Sequence, residues 1–165
     1  MTVSHFVFFI LSAMALIGAL GVVTSRNLFH AALFLVLSFV GVAGFYILLD
    51  AGFLAMIQLL VYVGAISILI IFGVMLTRGL MSSDYQARNE QWLWGLVAAV
   101  ALFAILGFIL LQVDWPTSAA AVPEDSISQL GQALVSPEKF VLPFEVASIL
   151  LLVALVGSVI IARES

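Results

Sequence analysis

The sequence predicts an all-α, polytopic membrane protein with five transmembrane helices. Hydrophobic residues make up 65% of its 165 positions and charged residues only 8%, whereas a soluble domain carries ~25% charge. The apolar residues fall in five continuous runs, each long enough to cross a ~30 Å hydrocarbon core as a helix. A transmembrane β-barrel would instead need alternating polar and apolar residues, so that class is excluded.

The first two runs predict spans over residues 3–23 and 28–49. The first run is too long for a signal-peptide core and lacks a basic segment before it, so we interpret it as a membrane helix. In the second run, Gly41 and Gly44 allow close approach of a neighbouring helix. Only a very short turn at Asp50 separates this run from the next, which predicts a tight antiparallel hairpin.

The third run, residues 53–77, is uncharged but contains several polar or small residues: Gln58, Tyr62, Gly64, Ser67 and Gly73. Polar groups in hydrocarbon cost free energy unless they face protein or water. We therefore expect this span to be buried among other helices and to have a function there. The pair Tyr62 and Gly64 is a place for a one-residue π-bulge, a feature often found at functional sites. Alternatively, Gly64 only lets a neighbouring helix pack closely while Tyr62 hydrogen-bonds to it.

Two further polar residues are candidates for a water path or for partner contacts. Gln58 lies one turn before Tyr62 and shares its face, so it either lines a hydrated path or makes a hydrogen bond between helices. Glu145 either pairs with a partner subunit or serves a proton path; alternatively, it is a first-turn charge stabilised by the helix dipole. His30 and Asp50 lie at span ends, where interfacial positions are expected.

The rest of the chain predicts a fourth span over residues 92–113 and a fifth over residues 144–162, within one membrane domain, 1–165. Between these spans lies a long loop, 114–143. In that loop Ile127, Leu130 and Leu134 recur at helical spacing, which predicts a short amphipathic helix on the membrane surface or on a partner.

The basic residues predict the orientation of the chain in the membrane. With five spans, all four arginines fall on one side and only Lys139 on the other. Because positive residues favour the cytoplasmic side, we expect an external N-terminus, a cytoplasmic C-terminus and an external 114–143 loop. The arginines concerned are Arg26, Arg78, Arg88 and Arg163.

The composition narrows the function classes. Cysteine is absent, which excludes disulfides, thiolate clusters and a cysteine nucleophile. No segment matches a phosphate loop, a nucleophile triad, a metal-binding motif or a nucleic-acid surface. The residues alone therefore predict a helical subunit of a larger membrane assembly, with one unusual helix.

Four segments carry a resemblance to a known family. They are RN followed by HAAL from Arg26, FLAMIQLLVYVGAI from Phe53, ILIIFGVML after it, and LPFEVASILLLVALVGSVIIAR from Leu142. In these segments the chain resembles subunit J of proton-pumping NADH:quinone oxidoreductase (respiratory complex I), the bacterial counterpart of mitochondrial NADH dehydrogenase subunit 6. The fourth span is not diagnostic.

The resemblance implies a membrane-arm subunit of the bacterial inner membrane that binds no cofactor and no nucleic acid. NADH, FMN, iron–sulfur clusters and quinone would be bound by other subunits, and the neighbours would be homologues of subunits H, A, K and N. It also implies a π-bulge whose conversion to α-helix gates a water wire. Some relatives have glutamate in place of Gln58, and an amide cannot carry a proton as glutamate does. The implied gate is Tyr62, Val63, Gly64 and Ala65, with Phe72 and Met75 as an apolar wall.

Several alternatives stay open on the sequence. The complex could take electrons from ferredoxin or a reduced deazaflavin (F420H2) instead of NADH, because this subunit does not touch the donor. The chain could be an accessory subunit of a cation/proton antiporter or a small transporter, although it shows neither the internal repeats nor the midplane charges of transporters. It could also be a structural spacer in which Tyr62 and Gly64 only pack.

Overall fold

The computed structural model describes residues 3–77, 91–114, 123 and 125–163, which are helical apart from short turns. Within those ranges, five helices are long and apolar enough to cross a membrane, so the predicted five-span, all-α class is confirmed at that level. The third of these helices is interrupted by a π-helical segment. The elements are α1 Val3–Thr24, α2 Leu28–Leu48, α3 Gly52–Ile57, the π-helix Gln58–Ile66, α4 Ser67–Thr77, α5 Trp92–Gln112, α6 Ser126–Val135 and α7 Val141–Ala162.

The chain divides into two compact units, Met1–Ala119 and Ala120–Ser165. In the first unit, α1 and α2 form an antiparallel hairpin whose helices approach closely at glycines. A Cβ added to Gly18 would lie only 2.6 Å from the main-chain nitrogen of Ser38, and one added to Gly41 would lie 2.9 Å from the main-chain nitrogen of Ala15. The Ser38 hydroxyl also donates a hydrogen bond to the Ala15 carbonyl at 3.2 Å. The small-residue face predicted for α2 is therefore the α1 contact.

The turn into α2 is capped by a side chain. Asn27 has an extended backbone, and its Oδ1 accepts a hydrogen bond from the Phe29 N–H at 3.0 Å. This satisfies one of the main-chain donors that the first helical turn leaves without a partner.

The end of α2 is a Schellman motif. The Ala51 N–H donates to the Tyr46 carbonyl at 2.8 Å, and the Asp50 N–H donates to the Ile47 carbonyl at 3.1 Å. Asp50 has φ 55°, the left-handed conformation that glycine usually supplies at this position. The predicted hairpin turn therefore closes at Asp50, and α3 begins two residues later at Gly52.

The third span, Gly52–Thr77, packs against α2, so that α2 lies between α1 and this span. Its buried residues are Ala55, Gln58 and Ser67. The fourth span, α5, buries none of its residues. Arg78 and Arg88, two of the arginines from which the orientation is predicted, lie outside the described residues.

In the second unit, the short helix α6 covers Ser126–Val135 and packs against α7. Leu130 and Leu134 are half-buried, whereas Ile127 is exposed. The Phe140 N–H donates to the Ala133 carbonyl at 3.1 Å, and α7 begins at the next residue. The predicted start of the last span at residue 144 is therefore three residues too late. Pro143 lies inside the first turn of α7, where the main-chain nitrogen needs no acceptor within the helix.

Candidate functional site

The hydrogen-bond pattern of the third span changes twice along its length. The chain is α-helical over Gly52–Ile57, π-helical over Gln58–Ile66 and α-helical again over Ser67–Thr77. In a π-helix each N–H bonds to the carbonyl five residues earlier. Such helices are rare in proteins, and those that occur are often at functional sites. The observed segment of nine residues is longer than the one-residue bulge that the sequence suggested near Gly64.

The beginning of the π-helix is attached to α2 through Phe39. Gln58 is only 6% exposed, and its Nε2 donates a hydrogen bond to the Phe39 carbonyl at 3.4 Å. The Tyr62 ring lies against the Phe39 ring with their centroids 5.5 Å apart and their planes at 74°, an edge-to-face contact. Gln58 and Tyr62 therefore meet the same residue of α2 and share a face of the span.

The end of the π-helix is marked by Ser67, which is 1% exposed. Its N–H donates to the carbonyls of Gly64 and Tyr62, and its hydroxyl donates to the Tyr62 carbonyl at 2.7 Å. The Tyr62 carbonyl therefore accepts two donors from a residue five positions later. In a regular α-helix the carbonyl four residues back would be the nearest acceptor.

Gly64 is not a point of close approach between the helices that the structure describes. A Cβ added there would meet a single atom within 4 Å, the Leu59 carbonyl oxygen of the same helix, at an ordinary 3.4 Å. Val63 and Gly64 are half-buried and Ala65 is exposed. The sequence allows the interpretation that Gly64 lets a neighbouring helix pack closely, but no described helix of this chain approaches it. Gly18 and Gly41, in contrast, do face the main chain of a neighbouring helix.

The two residues expected to form an apolar wall are on α4, beyond the π-helix. Phe72 and Met75 are both exposed, each at 59% of its surface, so neither is buried among the described helices of the first unit. The structure thus brings Gln58 and Tyr62 together at Phe39, but it leaves Phe72 and Met75 on the outer surface of the span.

Glu145 lies in the second unit, on α7. It is exposed and is the fifth residue of the helix, one turn further in than the first-turn position considered from the sequence. His30 and Asp50 lie at the beginning and just past the end of α2, as the sequence predicts. Among the described residues, no group of three or more histidine, cysteine, aspartate or glutamate side chains is placed to hold a metal ion.

Two residues of the site were not among the candidates predicted from the sequence, Phe39 and Ser67; Ser67 was named only as one of the polar or small residues of the third run. Phe39 is one of many aromatic residues in apolar runs, and nothing in the sequence distinguishes it. Ser67 did carry a signal, because a small hydroxyl residue in an apolar span is expected to face protein.

The fold and this site together define a class: a multi-pass helical membrane subunit whose central span contains a π-helix. A family model described as NADH-ubiquinone/plastoquinone oxidoreductase chain 6 matches residues 18–161, and the chain belongs to this family. It is a membrane subunit of an NAD(P)H-quinone oxidoreductase complex of the complex I type. The sequence-based resemblance is therefore confirmed.

The relatives cover most of the chain. The NAD(P)H-quinone oxidoreductase chain 6 of Leptolyngbya boryana is 40% identical over 160 residues, 95% of this chain and 78% of the relative. The corresponding protein of Synechocystis sp. is 37% identical over 98% of this chain and 82% of the relative. The chloroplastic subunit 6 of Chara vulgaris is 40% identical over 89% of this chain and 84% of the relative.

Proposed function

We propose that this chain couples quinone reduction to proton translocation, and that the π-helix Gln58–Ile66 is the coupling element. The observation that carries the proposal is the nine-residue π-helix inside a span that is α-helical on both sides. Coupling between distant sites requires an element with two discrete arrangements that both sites can bias. A π-helix can convert to the more common α-helix by moving each hydrogen bond by one residue, so it is such an element.

The conversion would move Tyr62, the polar side chain at the centre of the segment. In the observed form its ring is held edge-on against Phe39, while Gln58 is held by the Phe39 carbonyl. Gly64, whose neighbourhood is open, offers the least steric resistance to a change of winding. In one form bulky side chains would interrupt a water chain, and in the other Tyr62 would leave room for it.

The subunit would be surrounded by other subunits of the membrane arm and by lipid. Its neighbours would be the membrane-arm homologues of subunits H, A, K and N, with Glu145 available to one of them. NADH, FMN, iron–sulfur clusters and quinone would be bound elsewhere in the complex. The N-terminus would lie outside and the C-terminus in the cytoplasm of a bacterial inner membrane. The exposed surfaces of α5 and α7 support burial against lipid and other subunits, since neither helix buries a residue within the described structure.

The proposal is tested with Tyr62→Phe and Gly64→Val in the complete complex, in sealed membrane vesicles. We expect both variants to assemble and to oxidise the electron donor, but to translocate fewer protons per electron than the wild type. Matched controls are Tyr46→Phe on α2 and Gly73→Val on α4, where a Cβ meets no atom of the described residues within 4 Å. If Tyr62→Phe and Gly64→Val pump as well as their controls, the coupling element is elsewhere.

A further inference from the structure

The buried residues of the third span have a spacing that a single α-helix does not allow. Ala55 and Gln58 are three residues apart, about one α-helical turn, and Ser67 follows Gln58 by nine. All other residues of Gly52–Thr77 are half-buried or exposed. Ser67 is the largest side chain among the described residues that is completely buried.

The π-helix accounts for this spacing. At ~3.6 residues per turn, nine residues of α-helix make about 2.5 turns, which would place Gln58 and Ser67 on opposite faces. With hydrogen bonds to the fifth residue, a turn takes roughly 4.4 residues, so nine residues make about two turns. Only the π-helical form therefore brings Ser67 onto the face that Gln58 presents to α2, and α4 does pack against α2.

An α-helical form would present different residues to α2. Counting seven, eleven and fourteen residues on from Gln58 gives Ala65, Leu69 and Phe72, the positions that share its face in a regular α-helix. All three are exposed in the structure, Leu69 at 73% and Phe72 at 59%. The structure has the register against α2 with Ser67 inside, and an α-helical third span would have a second register with Leu69 and Phe72 inside.

We propose that Ser67 is the positioning residue that selects the first of these registers. Its side chain is 1% exposed and belongs to a helix that packs against α2, so we expect a larger side chain at this position to prevent the same seating of α4. When Ser67 is seated, the nine residues before it must be wound as a π-helix, because the side chain of residue 58 is also buried, next to Phe39 of α2. Ser67 lies in the α-helix α4, but its seating determines whether the preceding segment, Gln58–Ile66, is π-helical.

The test substitutes Ser67→Leu in the complete complex. Its matched control is Ser158→Leu on α7, where the serine is exposed and bonds within its own helix, to the Leu155 carbonyl at 2.8 Å. Particle images of each purified complex report whether Gln58–Ile66 is π- or α-helical. We expect loss of the π-helix in most Ser67→Leu particles, with Leu69 turned toward α2, and a wild-type π-helix in the control. If Ser67→Leu does not assemble, Ser67→Val tests the same direction with a smaller side chain.

A π-helix retained in the assembled variant, with residue 67 still buried against α2, would overturn the proposal. The effect of the register on pumping rests on the proposed function, but its effect on helix form does not. Proton translocation per electron, measured on the same preparations, separates the two. Loss of the π-helix with normal pumping would support the role of Ser67 and refute the coupling role. Impaired pumping with an intact π-helix would refute the role of Ser67.

Discussion

The hydroxyl of Ser67 donates a hydrogen bond to the main-chain carbonyl of Tyr62, five residues earlier, at 2.7 Å. The same carbonyl accepts the Ser67 N–H, so the hydroxyl is a second donor to a group that already has one. The bond connects the end of the π-helix to its central residue. It is the clearest contact between the segment that would change form and the α-helix that follows it.

Removing this hydroxyl should have a small effect. In regular α-helix Ser148 bonds to the Phe144 carbonyl at 3.0 Å and Thr77 to the Gly73 carbonyl at 2.9 Å, so serine finds an acceptor in either form. Ser67→Ala keeps the small size and leaves the Tyr62 carbonyl with its N–H donor. We expect protons translocated per electron to stay within about twofold of wild type, since the two forms lose comparable hydrogen bonds. If Ser67→Ala lowered proton translocation as much as Ser67→Leu does, the hydroxyl of Ser67 and not its small size would be what positions the helix.

Gln58 should contribute more to stability than to pumping. Its amide is buried and already occupied by the Phe39 carbonyl, which supports the helix-to-helix bond over the water path considered from the sequence. Gln58→Met preserves the length of the side chain and removes the donor, at a cost of about 1 kcal/mol. We expect lower thermal stability of the complex with most of the proton translocation retained. Electron transfer without proton translocation in a fully assembled Gln58→Met complex would contradict this expectation. It would support a role of Gln58 in a water path.

The α1–α2 hairpin should be sensitive to a single methyl group. A Cβ at Gly18 would lie 2.6 Å from the Ser38 nitrogen and 2.8 Å from the Phe34 carbonyl oxygen, and main-chain atoms cannot rotate away. Gly18→Ala is therefore expected to destabilise the hairpin by about 1–3 kcal/mol. The measurement is the temperature at which the subunit leaves the purified complex on native gels. The matched control is Gly107→Ala on α5, where an added Cβ would meet no atom of the described residues within 4 Å; it should have no such effect.

Asp50 should be replaceable by glycine with a gain in stability. It holds φ 55° at the end of α2, a conformation that costs an L-residue about 1–2 kcal/mol and costs glycine nothing. Asp50→Gly should raise the dissociation temperature of the subunit, and Asp50→Val should lower it. The opposite order would mean that the aspartate side chain, and not the turn geometry, determines the choice of residue here.

The sequence was informative where a residue's environment follows from its chemistry. The uncharged runs predicted the five spans, because apolar length alone defines a span. All five end within one residue of the predicted limits, and all but the last begin within one residue of them. The polar interruptions at Gln58, Tyr62 and Gly64 identified the unusual helix. The extent of the π-helix could not be predicted, because winding depends on which residues α2 can accept. That depends on Phe39 and on the buried site of Ser67, which only the packed structure specifies.

The most direct test of the coupling role is the form of Gln58–Ile66 in the working complex. Structures of the wild-type complex are determined at rest and during steady electron transfer to quinone, from the same preparation. We expect two populations, one with the π-helix and Ser67 against α2, the other α-helical with Leu69 and Phe72 turned inward. Their proportions should change on turnover. A π-helix unchanged in every particle while protons are being translocated would contradict it.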